Sequence, residues 1–473
     1  MPPAPDLVER LERHGQTELL DHWDKLDLAT QRSFEAELRA IDFHLVDQLK
    51  ETLVFADPAI DSIDSVRPVE VSRLPRTDRE RVAHRLASEV GEAILAEGQA
   101  AVVMVAGGQG TRLGFNGPKG TYPIGPVSAS SLFQIHAEKV LALSRRYGKT
   151  IPLYVMTSPE NHAETELFFE SNNRFGLSHL RLFVQGRMPA VDRETGKILL
   201  DGPGRVAMSP DGHGGTLTAL AQPGVDGGLS CLEEMKELGV QTLFYFQVDN
   251  PMVRIADPTF LGLHREASAE VSFKVVEKLK PDEKVGVVVE VDGRPQVIEY
   301  SDLPPALAEL REPEGSLQLW AGSIAIHIFE RSFIERVVQQ SQLPFHRAFK
   351  KVPYLNQDGQ RIEPTEPNAV KFERFIFDAL PLAERYAVVE TDRILEFEPL
   401  KNATGADSPA SVRQRMSDLF AGWLEAAGAR VVRRSDGTVP FGIEISPLFA
   451  LDGAELRSKL PAGLVVEQPL HLR

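Results

Sequence analysis

The stretch "AAVVMVAGGQGTRLGFNGPKGTYPIG", residues 100–125, decides how this chain is read. An apolar, partly β-branched run passes into glycines at 107, 108 and 110, and Arg112 and Lys119 follow. Such a run reads as a buried strand. Gly107, Gly108 and Gly110 accept positive φ and let backbone N–H groups wrap an anion. Arg112 offers phosphate a rigid fork, and Lys119 a mobile point charge. Pro118 fixes its own φ and biases Gly117 towards extended backbone, which sets the approach of Lys119. The pattern predicts a phosphate cradle, although the first residues of the loop fit a plain turn with surface cations equally well.

Two familiar phosphate motifs do not fit. A dinucleotide fingerprint needs a third glycine where Leu113 stands, one position before Gly114, and a P-loop needs Gly-Lys-Ser/Thr, whereas Lys119 lies between Pro118 and Gly120. The first failure disfavours a nicotinamide-dependent oxidoreductase.

Composition narrows the field. The 473 residues are enough for two or three domains, and 42% hydrophobic with 25% charged residues is ordinary for a globular core. A net charge of −16 disfavours nucleic acid or anionic membrane as partner, so an anionic substrate must be drawn in by a local cluster of cations. Cys231 is the only cysteine, which excludes an intrachain disulfide and a cysteine-rich zinc site. The charged N-terminus lacks a signal-peptide core, and no apolar run reaches the roughly 18 residues of a membrane span. The expectation is a soluble, cytoplasmic protein.

Along the chain, residues 1–97 read as helices. Phe34, Leu38, Ile41, Leu45 and Leu49 share one helical face, and Val82, Leu86, Val90 and Ile94 repeat the pattern after a Pro-containing connection at 56–78. From residue 100, short runs such as "IPLYVMT", "LRLFVQ" and "TLFYFQV" alternate with helical stretches at 131–147 and 230–239, as in a mostly parallel sheet covered by helices. Residues 270–300 predict a hairpin turning at Asp292-Gly293. The stretch 395–412 reads as a linker, followed by a helix over 408–428 and a few short strands. The boundaries expected are 1–97 for a helical region, 98–395 for a catalytic domain and 396–473 for a small C-terminal domain.

The string "GGQGTRLGFNGPKG" resembles the signature loop of the sugar-nucleotide pyrophosphorylases, G-G-x-G-T-R-L-G-x-x-x-P-K-G. The segments "PLYVMTS", "QGRMPA", "PDGHGG", "QVDNPMVRIADP", "VIEYSD", "PNAVKFERFIFD", "PLKNA" and "EISPL" occur in the order of the eukaryotic-type UDP-N-acetylhexosamine pyrophosphorylases, over residues 100–448. The resemblance implies an α/β nucleotidyltransferase core, Rossmann-like with a mostly parallel mixed sheet, flanked by smaller terminal pieces. It also implies the reaction: UTP and a sugar 1-phosphate give a UDP-sugar and pyrophosphate. The nucleophile is already a phosphate oxyanion, so catalysis needs positioning and charge neutralisation rather than a general base.

Asp249 ends the run "TLFYFQV", so its carboxylate is expected at the carboxyl edge of the sheet, where a hard oxygen ligand suits Mg²⁺ or another divalent cation. On position alone it serves equally as a turn residue before Pro251, and Asp257 reads as a turn residue. Gln185 carries donor and acceptor on one amide; by resemblance Gln185 and Gly212 bind the base. Lys371 and Lys401 would not be selected without the family, whose corresponding lysines meet UTP and the sugar phosphate. Gly286, Glu299 and Tyr300 correspond to sugar contacts, with a hairpin pair of one exposed and one buried residue as the plain alternative. Two departures fall on the sugar side: His213 and Ser323 stand where the family has asparagines, and Gly-His-Gly is shared with UDP-glucose and broad UDP-sugar pyrophosphorylases. The expected acceptor is N-acetylglucosamine 1-phosphate, with glucose or galactose 1-phosphate as rival and a non-catalytic UDP-sugar sensor as a rival of another class.

Overall fold

The computed structural model describes residues 2–56, 65–224, 227–340 and 343–473, so part of the connection expected at 56–78 lies outside the described residues. The chain divides into two compact units. The larger comprises residues 65–184, 219–341 and 379–473, and the smaller residues 1–64, 185–218 and 342–378. The boundaries expected at 97/98 and 395/396 do not coincide with this division. Residues 65–97 belong with the sheet, and the N-terminal helices share their unit with two later segments.

The larger unit is built on a ten-stranded mixed sheet. Its strands are β1 (Val66–Pro68), β2 (Ala100–Val105), β3 (Leu153–Thr157), β4 (Leu180–Val184), β5 (Thr242–Gln247), β6 (Val271–Glu277), β7 (Val287–Val291), β8 (Arg294–Ile298), β9 (Ala321–Glu330) and β10 (Tyr386–Glu390). The order β1-β7-β9-β5-β2-β3-β4 is parallel from β5 to β4 and antiparallel from β1 to β5; β6 joins β9 to β10, and β8 pairs with β7. The inner parallel strands β2, β3 and β5 are almost wholly apolar, as strands buried on both faces are, whereas the edge strand β4 carries Arg181. The hairpin turns at Asp292 (φ 51°) and Gly293 (φ 76°), as expected.

Helix α1 (Asp78–Ala96) opens with a capping box of Thr77 and Glu80 and packs on α3 (Pro258–Glu266). Its buried face is the predicted one only in its second half, where Ile94 is buried and Val90 packs against the core. Val82 and Leu86 are 44% and 49% exposed, while Ala87, Gly91, Ile94 and Leu95 are buried. A Cβ on Gly91 would stand 1.8 Å from Pro258 O, and one on Gly262 1.7 Å from Ala87 O. Backbones that approach so closely select small residues, which a search for large apolar side chains passes over.

Helix α2 (Leu132–Tyr147) covers the sheet from an N-cap at Ser131. In the C-terminal region, α4 (Pro409–Ala426) packs with two short parallel strand pairs around Leu424, Val439, Ile443 and Leu456. The expected linker at 395–412 is a partial correction: it opens with a helical turn, Arg393–Glu396, and Leu400 is fully buried in the sheet's core.

In the smaller unit the stripe from Phe34 to Leu49 spans two helices, Leu28–Ala40 and Phe43–Leu49, because Asp42 caps the second by accepting from Leu45 N–H. Phe34, Leu38, Phe43 and Val46 share one core with Met188, Val191, Val370 and Phe372. Among the described residues no helix is long and apolar enough to cross a membrane.

Candidate active site

β2 and β5 are parallel neighbours, so the loops that leave their carboxyl ends start side by side, and Val248 N–H donates to Val105 O. The loop after β2 folds on itself: Gly110 N–H donates to Gly117 O and Lys119 N–H to Gly108 O, which returns Lys119 to the foot of the loop. The N–H groups of Gly107 and Gly108 have no acceptor among the described residues. Positive φ falls not on Gly107, Gly108 or Gly110 but on Gly114 (69°) and Gly117 (140°). Arg112 is exposed on a single turn, Thr111–Leu113, and makes no ion pair among the described residues.

Lys119 Nζ lies 3.0 Å from Asp249 Oδ2, with the two side chains 18% and 13% exposed. Burial raises the Asp249 pKa, but the Lys119 and Lys401 ammoniums outweigh it and hold the carboxyl below its ordinary value. The Lys401 segment is tied to the same place, since Leu400 N–H donates to Asp249 O (2.8 Å). Lys119, Asp249 and Lys401, three residues spread over the sequence, are thus brought together.

Buried polar groups brace this loop from behind, and none was selected from sequence. Asn250 Nδ2 donates to Glu396 O (2.7 Å), and its Oδ1 accepts from Met252 and Glu398 N–H. His136 Nε2 donates to Val248 O (2.9 Å), and Lys139 Nζ donates to the carbonyls of Pro251 (2.6 Å) and Val253 (2.9 Å). Burial, with Lys139 nearby, pushes the His136 pKa down to about 3, and burial pushes that of Lys139 down to about 7. Asp257 caps α3 and pairs with the buried Lys274, which also holds Glu396. Asn250 sits within the quoted "QVDNPM"; nothing local in the sequence marks His136 or Lys139.

Of the residues expected around a sugar, Gly286, Glu299 and Ser323 lie together in the larger unit, whereas His213 belongs to the smaller one. Ser323 N–H donates to Gly286 O (2.8 Å), and a Cβ on Gly286 would lie 3.2 Å from Glu299 Oε1. Glu299 and Tyr300 stand just past the end of β8, so the simple strand alternation does not apply; Glu299 is half-buried and Tyr300 46% exposed. The register between β6 and β9 shifts between Phe273 and Val275, opposite Ser323, and Ala325 holds φ 56°. A bulge of this kind re-aims the side chains beside it.

Gln185, Gly212, His213 and Lys371 belong to the smaller unit. Gln185, which follows β4 in sequence, donates from Nε2 to Gly212 O (2.8 Å) and to the Asp211 carboxylate. The strand Ala369–Glu373, with Lys371 half-buried at its centre, runs into a segment that backs the "PDGHGG" loop. There Arg374 N–H donates to Asp211 O, Gly214 N–H to Arg374 O, and Ile376 N–H to His213 Nδ1. That last bond fixes the neutral His213 tautomer with its proton on Nε2. Burial between Phe375 and Phe377 pushes the His213 pKa down to about 4. Burial also raises Asp211 against the pull of Arg374.

The family described as UTP–glucose-1-phosphate uridylyltransferase matches residues 58–421. The human UDP-N-acetylhexosamine pyrophosphorylase-like protein 1 is 36% identical, covering 99% of this chain and 96% of its own length. The UDP-N-acetylglucosamine pyrophosphorylase of Saccharomyces cerevisiae is 35% identical, covering 93% and 94%. The crystal structure of the uridine diphosphate N-acetylglucosamine pyrophosphorylase of Trypanosoma brucei superposes with a TM-score of 0.82 at 28% identity, covering 99% and 98%. With Lys119, Asp249 and the Lys401 segment gathered at the carboxyl ends of β2 and β5, and with likeness along nearly its whole length, this chain belongs to the UTP–glucose-1-phosphate uridylyltransferase family.

Proposed function

We propose that this chain transfers the uridylyl group of UTP to a sugar 1-phosphate, principally N-acetylglucosamine 1-phosphate, and releases pyrophosphate. The observation that carries the reading is the convergence of Lys119, Asp249 and the Lys401 segment beside the glycine loop. A phosphate oxygen of the sugar 1-phosphate attacks the α-phosphorus of UTP; the new P–O bond forms as the bond to the β-phosphate oxygen breaks. The chain's task is to hold both anions in line and to neutralise them. Arg112, Lys119 and the N–H groups of Gly107 and Gly108 serve the triphosphate, with Lys371 on UTP and Lys401 on the sugar phosphate. Gln185 and Gly212 hold the uracil, and Glu299 accepts from sugar hydroxyls.

A divalent cation fits this donor set. Asp249 is ionised and already faces a cation, and no group of three or more metal-ligating side chains occurs among the described residues, so phosphates and water must supply the remaining ligands. Mg²⁺ bound there would neutralise charge on the phosphates. The acceptor preference rests on relatives at 35–36% identity that are named for UDP-N-acetylhexosamine and UDP-N-acetylglucosamine. His213 and Ser323 favour a second reading, in which glucose 1-phosphate is also accepted. Pyrophosphate release from UTP across a panel of sugar 1-phosphates tests both readings. Activity with N-acetylglucosamine 1-phosphate alone removes the second, and activity with no sugar 1-phosphate removes both.

A further inference from the structure

Within the larger unit, a cavity of about 560 Å³ lies among α2, α4 and the segment that follows Asp249. This is the size of a small-molecule site. Its apolar wall is formed by Leu143, Met252, Met416, Leu419, Phe420 and Trp423. Neither the glycine loop nor Asp249, Lys401, Glu299 or Ser323 lines it. It is a different place from the site described above.

The charges around it are unequally answered. Glu138 accepts from Gln134 Nε2 and Ser446 Oγ, and Glu444 from the N–H groups of Val127 and Ser128. Asp452 is paired with Arg146, and Asp257 with Lys274. Lys139 also lines the cavity, yet no carboxylate among the described residues lies within ion-pair distance of it. Its ammonium is met only by the carbonyls of Pro251 and Val253. Burial holds its pKa down to about 7, with Glu396 favouring the charged form only from beyond ion-pair distance, and an anion placed beside the ammonium would stabilise that charged form.

We propose that this cavity is a second ligand site, for an amphipathic organic anion. The anionic group would bond to Lys139, and an aromatic body would lie on Phe420, Trp423 and Met416. Lys139 holds the backbone two and four residues beyond Asp249, so the occupant would meet the same side chain that braces that loop. The proposal does not depend on uridylyl transfer, and an inactive chain would leave it standing.

The test uses two fluorescent probes on the full chain: 8-anilinonaphthalene-1-sulfonate, and N-phenyl-1-naphthylamine, which has the same rings without the sulfonate. The sulfonate should bind once per chain, resist displacement by saturating UTP, and bind about tenfold or more tighter than its neutral partner, as a charge-assisted bond requires. Lys139→Met should abolish that advantage. Leu419→Trp should fill the cavity and abolish binding of both probes without lowering the melting temperature. Equal affinity of the two probes for the parent, displacement by UTP, or unchanged sulfonate binding in Lys139→Met would each overturn the proposal. Should Lys139→Met not fold, Leu419→Trp and the paired probes decide it, and sulfonate binding retained in Leu419→Trp would refute it.

Discussion

Lys119→Ala removes an ammonium that lies 3.0 Å from Asp249 Oδ2. At an effective dielectric of about 20, two unit charges at that separation attract by roughly 5.5 kcal/mol. Catalysis should lose less than this gross figure. Water still reaches both side chains, and on binding UTP the ammonium exchanges one anion for another. What counts is how much it prefers the charge developing on the phosphates to Asp249 in the free protein. Removing one preorganised donor from such charge costs about 2.7–4 kcal/mol, so turnover should fall roughly 10²–10³-fold. The assay is pyrophosphate release from UTP and N-acetylglucosamine 1-phosphate, with thermal melting as the control for folding. A folded variant with near-parental turnover would refute the role of Lys119. The same substitution in an Asp249→Asn background should cost less than in the parent, because the two charges act as a unit.

Asp249→Asn keeps the shape and removes the charge, so turnover should fall sharply and extra Mg²⁺ should restore it only in part; indifference to this change and to EDTA would return Asp249 to the status of a turn residue. UTP should be used far faster than CTP, because Gln185 spends its amide donors on Gly212 O and the Asp211 carboxylate and presents a carbonyl, which suits the N3–H of uracil and not the bare N3 of cytosine; equal rates would remove Gln185 from base recognition. His136 stays neutral in the fold down to about pH 3, whereas the unfolded chain takes up a proton near the ordinary imidazole value. Its contribution to stability is therefore complete above about pH 6.5 and lost as pH falls, at about 1.4 kcal/mol per pH unit. His136→Gln should flatten the pH dependence of unfolding by that slope, and an unchanged slope would show that His136 does not resist protonation. Restoring both asparagines, His213→Asn with Ser323→Asn, should move the kcat/KM ratio towards N-acetylglucosamine 1-phosphate by a few-fold to about tenfold per site, the value of one hydrogen bond; an unmoved ratio would place sugar choice elsewhere.

The sheet was legible because buried parallel strands are apolar on both faces, and "AAVVMV", "LYVMT" and "TLFYFQ" are such runs. Asp249 was legible in its position, since it follows such a run directly, although position alone fitted a turn residue equally well; Gln185 was selected only through the family's motifs. The unit boundaries were not legible. Residues 188–206 and 370–372 join the N-terminal helices through contacts that no local pattern encodes. The packing of α1 was hidden because its contact is made by Gly91 and Ala87, small residues that contribute nothing to an apolar stripe. Lys371 and Lys401 carry no local signal and were found only through the family's motifs. The brace of Asn250, His136 and Lys139 escaped both routes: each acts by bonding a backbone carbonyl, and a carbonyl leaves no trace in the sequence.

That brace accounts for how a chain of net charge −16 keeps a carboxylate fit for phosphate chemistry. Burial alone would raise the Asp249 pKa and favour its neutral form, which binds cations poorly. Lys119 and Lys401 prevent this, but only while the loops after β2 and β5 and the segment before Lys401 keep their spacing. Leu400 N–H on Asp249 O and Asn250 on Glu396 O fix one side of that spacing, and His136 on Val248 O fixes the other. None of these bonds adds a charge to the cleft. His136 is neutral, Asn250 is an amide, and Lys139 faces away towards the cavity behind the loop. The cations beside Asp249 are thus kept apart from the groups that hold the frame; of these His136 stays neutral near neutral pH, and Lys139, held down to about 7 by burial, is the one that titrates there.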